Sequence, residues 1–258
     1  MIAAMESMLD NLPTGLPEQV RAVFLSDVHL KEPEDANYRG MLALLDGLDG
    51  LPDLYILGDF FDFWFGFSRV VPGRYVPVLA ALKRLADGGT RIHFVEGNHD
   101  FHMGTYFTRT LGAVVHPDCA EVDLDGKRLY LAHGDLVDEA DRGYLRMRRV
   151  LRSAPVTWLA DAMPPRWLLS FADRLHQVAG GEMNGPRHLA GRFREFAREQ
   201  WRVGYDGVVL GHCHVPELLE ESHEGRPCFY GNAGDWLKNY TFLAYDGEGF
   251  SLRRAELV

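Results

Sequence analysis

The sequence predicts an α/β fold built on a sheet with parallel connections, and three observations predict it. Short apolar runs rich in β-branched and aromatic residues, at Ala22–Leu25, Leu54–Leu57 and Ile92–Val95, read as buried strands. Apolar residues at helical spacing fill the stretches between them, at Tyr38–Leu48 and Val76–Leu85. Each run ends in a polar cluster: Ser-Asp-Val-His, Gly-Asp-Phe-Phe-Asp and Gly-Asn-His-Asp. Strands separated by helices imply parallel pairing, and sheets of that kind gather ligands at the carboxyl ends of their strands.

A second strand group follows. Glu121–Leu124 and Arg128–Ala132 flank Asp125-Gly126, a pair suited to the left-handed turn of a tight hairpin. Further strands are expected at Gly207–Leu210, Cys228–Tyr230, Phe242–Tyr245 and Phe250–Arg253. The stretch between the two groups is helical in pattern. We place it as an insertion over residues 136–206 of a single domain spanning 1–258. Within it, Pro164-Pro165 is expected to separate two helices, since proline cannot continue one.

Composition narrows the function. A chain of 258 residues, 47% hydrophobic, can bury a core without disulfides or a structural metal, so a bound metal would serve chemistry. Its 3 cysteines, Cys119, Cys213 and Cys228, are too scattered for a disulfide framework and suggest a reducing compartment. The first residues carry Glu6 and Asp10 and no basic cluster, unlike a signal peptide. No window reaches the roughly 18 apolar residues of a membrane span. The expected location is the cytoplasm. Net charge is −10, yet residues 141–202 hold 12 Arg, no Lys and 6 acids. A basic segment in an acidic protein points to a local anionic partner, a phosphate or an anionic membrane surface, rather than to nucleic acid.

Five motifs carry the chemistry, each directly after an expected strand. They are Asp27-Val28-His29, Gly58-Asp59-Phe60-Phe61-Asp62, Gly97-Asn98-His99-Asp100, His133-Gly134-Asp135 and Gly211-His212-Cys213-His214. Any one alone reads as an ordinary turn or cap. Together they supply carboxylate and amide oxygens and imidazole nitrogens, the donors suited to hard or borderline dications. Asp62 and Asp100 either orient a ligand histidine or cap the following segment. Cys213, between two donors, reads as packing.

In this order the motifs resemble those of the calcineurin-like metallophosphoesterases: D-x-H, G-D-x-x-D, G-N-H-D/E, H and G-H-x-H. The resemblance spans Asp27 to Trp236. It implies a four-layer αββα sandwich holding two divalent ions, Mn²⁺ first, with Fe²⁺, Co²⁺ or Zn²⁺ as alternatives. Asp27, His29, Asp59 and His214 would hold one ion. Asp59 would bridge to a second, held by Asn98, His133 and His212. Asp59 and His99 would be the catalytic pair, His99 stabilising the transition state or protonating the leaving group.

The helical insertion mixes apolar residues with Arg142, Arg146, Arg148, Arg149 and Arg152. It is either a hairpin with solvated arginines, or a lid offering an apolar groove for acyl chains and a basic rim. The run from His133 to Arg152 and the Trp158-to-Trp167 stretch resemble the bacterial UDP-2,3-diacylglucosamine diphosphatases of lipid A synthesis. That resemblance implies a nucleotide-sugar lipid substrate, cleaved to UMP and a diacylglucosamine 1-phosphate. It also implies contact with the inner-membrane surface through the basic lid. Asn98, Asp141, Arg187 and His212 would help hold the substrate, with Tyr144 nearby. The chain departs from that group at His99, where its best-known members carry Arg. The alternative is a soluble metallophosphoesterase acting on another nucleotide or small phosphate ester.

Overall fold

In strand β1 (Ala22–Leu25), Ala22 and Phe24 join one apolar cluster while Val23 and Leu25 join another, so both faces are buried. The same alternation runs through β2 (Asp53–Leu57) and β4 (Arg91–Val95). It is what a sheet covered on both sides requires. A computed structural model of the chain describes residues 12–17, 19–66, 71–162 and 187–255.

The first sheet has six strands in the order β13-β12-β1-β2-β4-β6, with β6 at Val114–His116, β12 at Thr241–Tyr245 and β13 at Phe250–Arg254. Strands β1, β2, β4 and β6 are parallel, and β12 and β13 close the other edge antiparallel. The second sheet runs β10-β11-β9-β8-β7. It comprises β7 (Cys119–Leu124), β8 (Lys127–Ala132), β9 (Gly207–Leu210), β10 (Glu217–His223) and β11 (Arg226–Asn232). Its centre, β8, β9 and β11, is parallel, and a hairpin flanks it on each side.

Helices α1 (Ala36–Asp46) and α2 (Val76–Asp87) cover the outer face of the first sheet. Helix α5 (Ala190–Arg202) covers the outer face of the second through Phe193, Ala197 and Trp201. Between the sheets lies a third cluster, with Phe24, Tyr55, Leu57, Leu129, Leu131, Val209 and Leu243 at its middle. Helix, sheet, sheet, helix: this is the four-layer αββα arrangement expected from the sequence.

The differences are instructive. Strands β3 (Trp64–Phe65) and β5 (Asp100–Phe101) pair only with each other, and two residues are too few to give a period. Strand β6 lies at a sheet edge and is three residues long. The edge strand β10 is rich in glutamate, a composition that hides a strand but discourages pairing with other chains. The helical stretch breaks earlier than expected, between α3 (Arg142–Leu151) and α4 (Ala154–Ala162). Pro155 explains it: in one continuous helix its ring would meet the carbonyl of residue 151, whereas the first turn of a new helix accepts it. The break expected at Pro164-Pro165 lies outside the described residues.

Candidate active site

All seven expected donors sit just past strand ends. Asp27 and His29 follow β1, Asp59 follows β2 and Asn98 follows β4, all from the first sheet. His133 follows β8, while His212 and His214 follow β9, from the second. Five of these residues hold a left-handed backbone: Asp27, His29, Asp59, His212 and His214 have φ of 54°, 50°, 54°, 62° and 54°. Non-glycine residues visit that region uncommonly, and such strain concentrates at functional sites. Backbone bonds sustain it. His29 N–H donates to the Asp59 carbonyl at 2.9 Å, and Gly211 N–H to that of His133 at 2.8 Å. His212 N–H crosses between sheets to Asp27 Oδ2 at 2.8 Å.

Two motif glycines are steric necessities. A Cβ on Gly97 would collide with Asp59 Oδ1, and one on Gly211 would stand 2.7 Å from Asp27 Oδ2. Bare backbone lets these loops reach the carboxylates.

The donor atoms converge in two groups, and His29 and Asp59, one from each, form a third with His99. In the triad Asp27, His29 and His214, and in the triad Asp59, His133 and His212, the donor atoms lie within 4.8 Å of one another. Asp59 Oδ2 is 3.8 Å from His29 Nε2 and 3.4 Å from His133 Nε2, which places this carboxylate between the groups. Asn98 Oδ1 is 2.8 Å from His133 Nε2, and His212 Nδ1 is 3.1 Å from the same atom. His133 Nδ1–H donates to the Leu57 carbonyl at 2.9 Å, which turns Nε2 toward the centre.

The residues fit a pair of dications. His214 turns its Nε2 toward Asp27 Oδ1 at 3.2 Å, while Asp27 Oδ1 and His29 Nε2 are buried and without a hydrogen-bond partner of good geometry among the described residues. A buried polar atom left so forfeits about 1–3 kcal/mol, a deficit a coordinated cation removes for inward-facing donors. Burial pushes the His29 imidazole down to about 3. Burial and neighbouring His133 take His212 down to about 4. Both rings therefore stay neutral, with lone pairs available. His133 and His214 go the other way: burial opposes their charge, but the Asp59 carboxylate lifts His133 to about 10 and Asp27 raises His214. Burial likewise opposes ionisation of Asp59, and His133 and His99 overcome it.

His99 lies beside this centre, edge-on to His29 with ring centroids 4.9 Å apart. Its Nδ1–H donates to the Asp62 carbonyl at 3.0 Å, leaving Nε2 as the ring's other polar atom. Asp62 meets His99, which is not one of the expected ligand histidines, through its backbone oxygen, while its carboxylate stands 3.3 Å from Lys31 Nζ. Asp100 ties two donor loops together instead of capping the segment after it. Its carboxylate accepts the amides of Asp59, Phe60, Phe61 and Gly97 at 2.8, 2.7, 3.1 and 3.2 Å. Cys213 is fully buried, as packing predicts.

The other expected substrate residues divide. Tyr144 lines a small cavity with Asn98, and its hydroxyl donates to Asp135. Asp141 caps α3 by accepting the Tyr144 amide at 2.9 Å and is exposed. Arg187 opens a 3₁₀ turn before α5, and no hydrogen bond or ion pair among the described residues joins it to the donors. Sequence reasoning passed over Glu96, Asp135 and the specific reach of Arg148 and Arg152, which meet the donor loops from α3. The visible signal was a pair of arginines four apart on one helix.

The family model for calcineurin-like phosphoesterases matches residues 20–216, a span containing every donor. The chain belongs to the calcineurin-like phosphoesterase family. A UDP-2,3-diacylglucosamine hydrolase of Pseudomonas putida strain KT2440 is 32% identical over 233 residues, covering 89% of this chain and 97% of that one. One from Pseudomonas fluorescens strain SBW25 is 32% identical over 239 residues, covering 92% and 96%. The crystal structure of a predicted phosphoesterase from Streptococcus pneumoniae TIGR4 aligns with a TM-score of 0.41 at 15% identity, covering 92% of this chain and 89% of that one. Members of this phosphoesterase family are metal-dependent hydrolases, in keeping with the two donor groups.

Proposed function

We propose that this chain hydrolyses the pyrophosphate of UDP-2,3-diacylglucosamine to UMP and 2,3-diacylglucosamine 1-phosphate, using two divalent ions. The observation that carries this reading is the extent of the likeness. Relatives named for that substrate align over 97% of their own length, so the likeness includes the helices between β8 and β9 as well as the donor loops.

On this reading Asp27, His29, Asp59 and His214 hold one ion, and Asp59, Asn98, His133 and His212 the other, with Mn²⁺ the first choice. When bound, the two dications would supply an activated water near neutral pH and Lewis-acid contact to phosphate oxygens. The remaining work falls to the chain. Neutral Asn98 adds no negative charge against an anionic substrate. His99, fixed at Nδ1 by the Asp62 carbonyl, offers Nε2 for a proton or hydrogen bond to the leaving group. Asn98, Tyr144, Asp141, Arg187 and His212 hold the substrate.

Residues 136–206 then act as a lid. An opening of about 550 Å³ beside α3 is lined by Arg148, Arg149 and Arg152, with Leu136, Leu145 and Pro117 as its apolar part, and its arginines suit a phosphate beside the start of an acyl chain. Met147, Val150, Trp158 and Leu159 are exposed on α3 and α4, and among the basic residues they suit peripheral contact with the cytoplasmic face of the inner membrane. No helix among the described residues is long and apolar enough to cross a membrane.

The test is a Mn²⁺-supplemented hydrolysis assay on UDP-2,3-diacylglucosamine, reading UMP release, with UDP-N-acetylglucosamine as the unacylated control. Turnover of the acylated substrate alone is expected. Equal turnover of both removes the acyl role of the lid. Cleavage of an aryl phosphate ester with neither sugar nucleotide touched replaces this reading with that of a soluble phosphoesterase of other specificity.

A further inference from the structure

Helix α3 reaches both of the loops that bring Asn98 and His133 together. Arg152, at its C-terminal end, donates from Nη1 to Glu96 Oε2 at 2.6 Å and from Nη2 to the Gly97 carbonyl at 2.9 Å. Glu96 Oε1 in turn accepts the Met103 amide at 3.1 Å, so one carboxylate closes the base of the segment containing Asn98. One turn earlier, Arg148 donates from Nε to Asp135 Oδ2 at 2.9 Å, two residues beyond His133. Tyr144 reaches the same carboxylate. Both arginines also donate to the Pro117 carbonyl, Arg152 at 2.8 Å and Arg148 at 3.3 Å.

We infer that α3 is a brace for the second-ion site, with Arg148 and Arg152 as its positioning residues, and that this couples the helix to Asn98 and His133. The inference rests on the reading that Asn98, His133 and His212 hold an ion. Its physical basis is geometric. Residues four apart share a helix face, so one rigid element sets the spacing of two loops from different sheets. The arginine side chains are only 14% and 15% exposed, and the carboxylates they meet, Asp135 and Glu96, 3% and 7%. Charge-assisted bonds in such surroundings hold geometry well, and breaking one leaves a desolvated carboxylate without its cationic partner. Each guanidinium engages acceptors from two or more segments at once, which the compact ammonium of lysine does not reproduce.

Among the described residues both arginines bond to neighbours of Asn98 and His133 and neither bonds to the loops of Asp27, His29 or His214, so the brace bears chiefly on the second ion. Helix α3 also lines the cavity beside Asn98 through Tyr144, Met147 and Leu151.

The test uses the full chain and Mn²⁺ alone as probe. Electron paramagnetic resonance separates spin-coupled Mn²⁺ pairs from single ions during a titration, and hydrogen exchange reports the amides of 97–103 and 133–136. We expect Arg152→Lys, Arg152→Met and Arg148→Lys to weaken the second Mn²⁺ roughly 10- to 100-fold while the first binds as in the parent, with faster exchange in those loops. Glu96→Gln should fall between. If Arg152→Met fails to fold, the lysine and glutamine variants carry the test. Folded variants that bind both ions and exchange like the parent overturn the brace, as does equal weakening of both ions. A parent that binds one ion only overturns the two-ion reading itself, a result visible before any variant is made.

Discussion

Asp59 and Asp100 each fasten the loop that carries the other. Asp100 Oδ1 accepts the Asp59 amide at 2.8 Å, while Asp59 Oδ1 accepts the amide of His99 at 2.8 Å. The bridging carboxylate is thus held by the same loop pair whose ions it is expected to join. Asp100 is fully buried, and burial together with the Asp59 charge pushes its carboxyl well up. Asp100→Asn keeps the volume but puts an N–H group where an acceptor was. We expect a loss of about 1–3 kcal/mol of stability, read from the urea midpoint, with activity reduced as well.

Gly97 has ordinary backbone angles, so its necessity is purely steric. In Gly97→Ala the methyl must displace Asp59. Turnover should fall roughly 10- to 100-fold, with a matching loss of Mn²⁺ affinity by calorimetry. Unchanged metal binding would show that the Asp59 loop yields without consequence.

Asp59→Ala should remove activity altogether and abolish the rise in melting temperature that Mn²⁺ gives the parent through binding to the native state. A persistent thermal shift would mean that the centre does not depend on a shared carboxylate.

His99→Gln should lower kcat by roughly 10²- to 10⁴-fold, the usual range for a general acid or base. The Mn²⁺ content of the purified variant should stay at that of the parent. Loss of metal in place of rate would make His99 a ligand, a role its donor atom's nearness to His29 and Asp59 makes worth excluding.

Away from the site, His93 and His116 stack with ring centroids 5.8 Å apart. Burial lowers both below the usual 6.5, with Asp53 opposing the shift at His93. The folded chain disfavours their charged form, so below about pH 6.5 the unfolded chain binds more protons. Their contribution is present above that pH and lost as pH falls beneath it. Urea midpoints at pH 7.5 and 5 should differ less in the His93→Gln, His116→Gln double variant than in the parent. An equal difference would show that the pair does not titrate on unfolding.

The donors were legible because chemistry restricted the choice. Few reasons place Asp, Asn and His just past five strand ends, three of them with a glycine directly before the donor, Gly58, Gly97 and Gly211. The four layers followed from runs such as Ala22–Leu25, buried on both faces. What stayed hidden depends on three-dimensional partners. Nothing local marks Asp100 as accepting four amides, or Glu96 as joining Arg152 to Met103. Strands β3 and β5 have no period to read, and β10 owes its place to its neighbour β11. Pro155 was visible but drew less notice than the double proline after it.

The donors arrive from two sheets that share, among the described residues, the apolar layer around Phe24, Leu57, Leu131 and Val209. Sliding one sheet on the other would part Asp27 from the His212 amide and Asp59 from His133 together. Metal release should therefore serve as a gauge of interlayer cohesion. Trimming a contact such as Leu131 should speed ion escape before any helix unravels, and a colorimetric chelator could follow that loosening in real time.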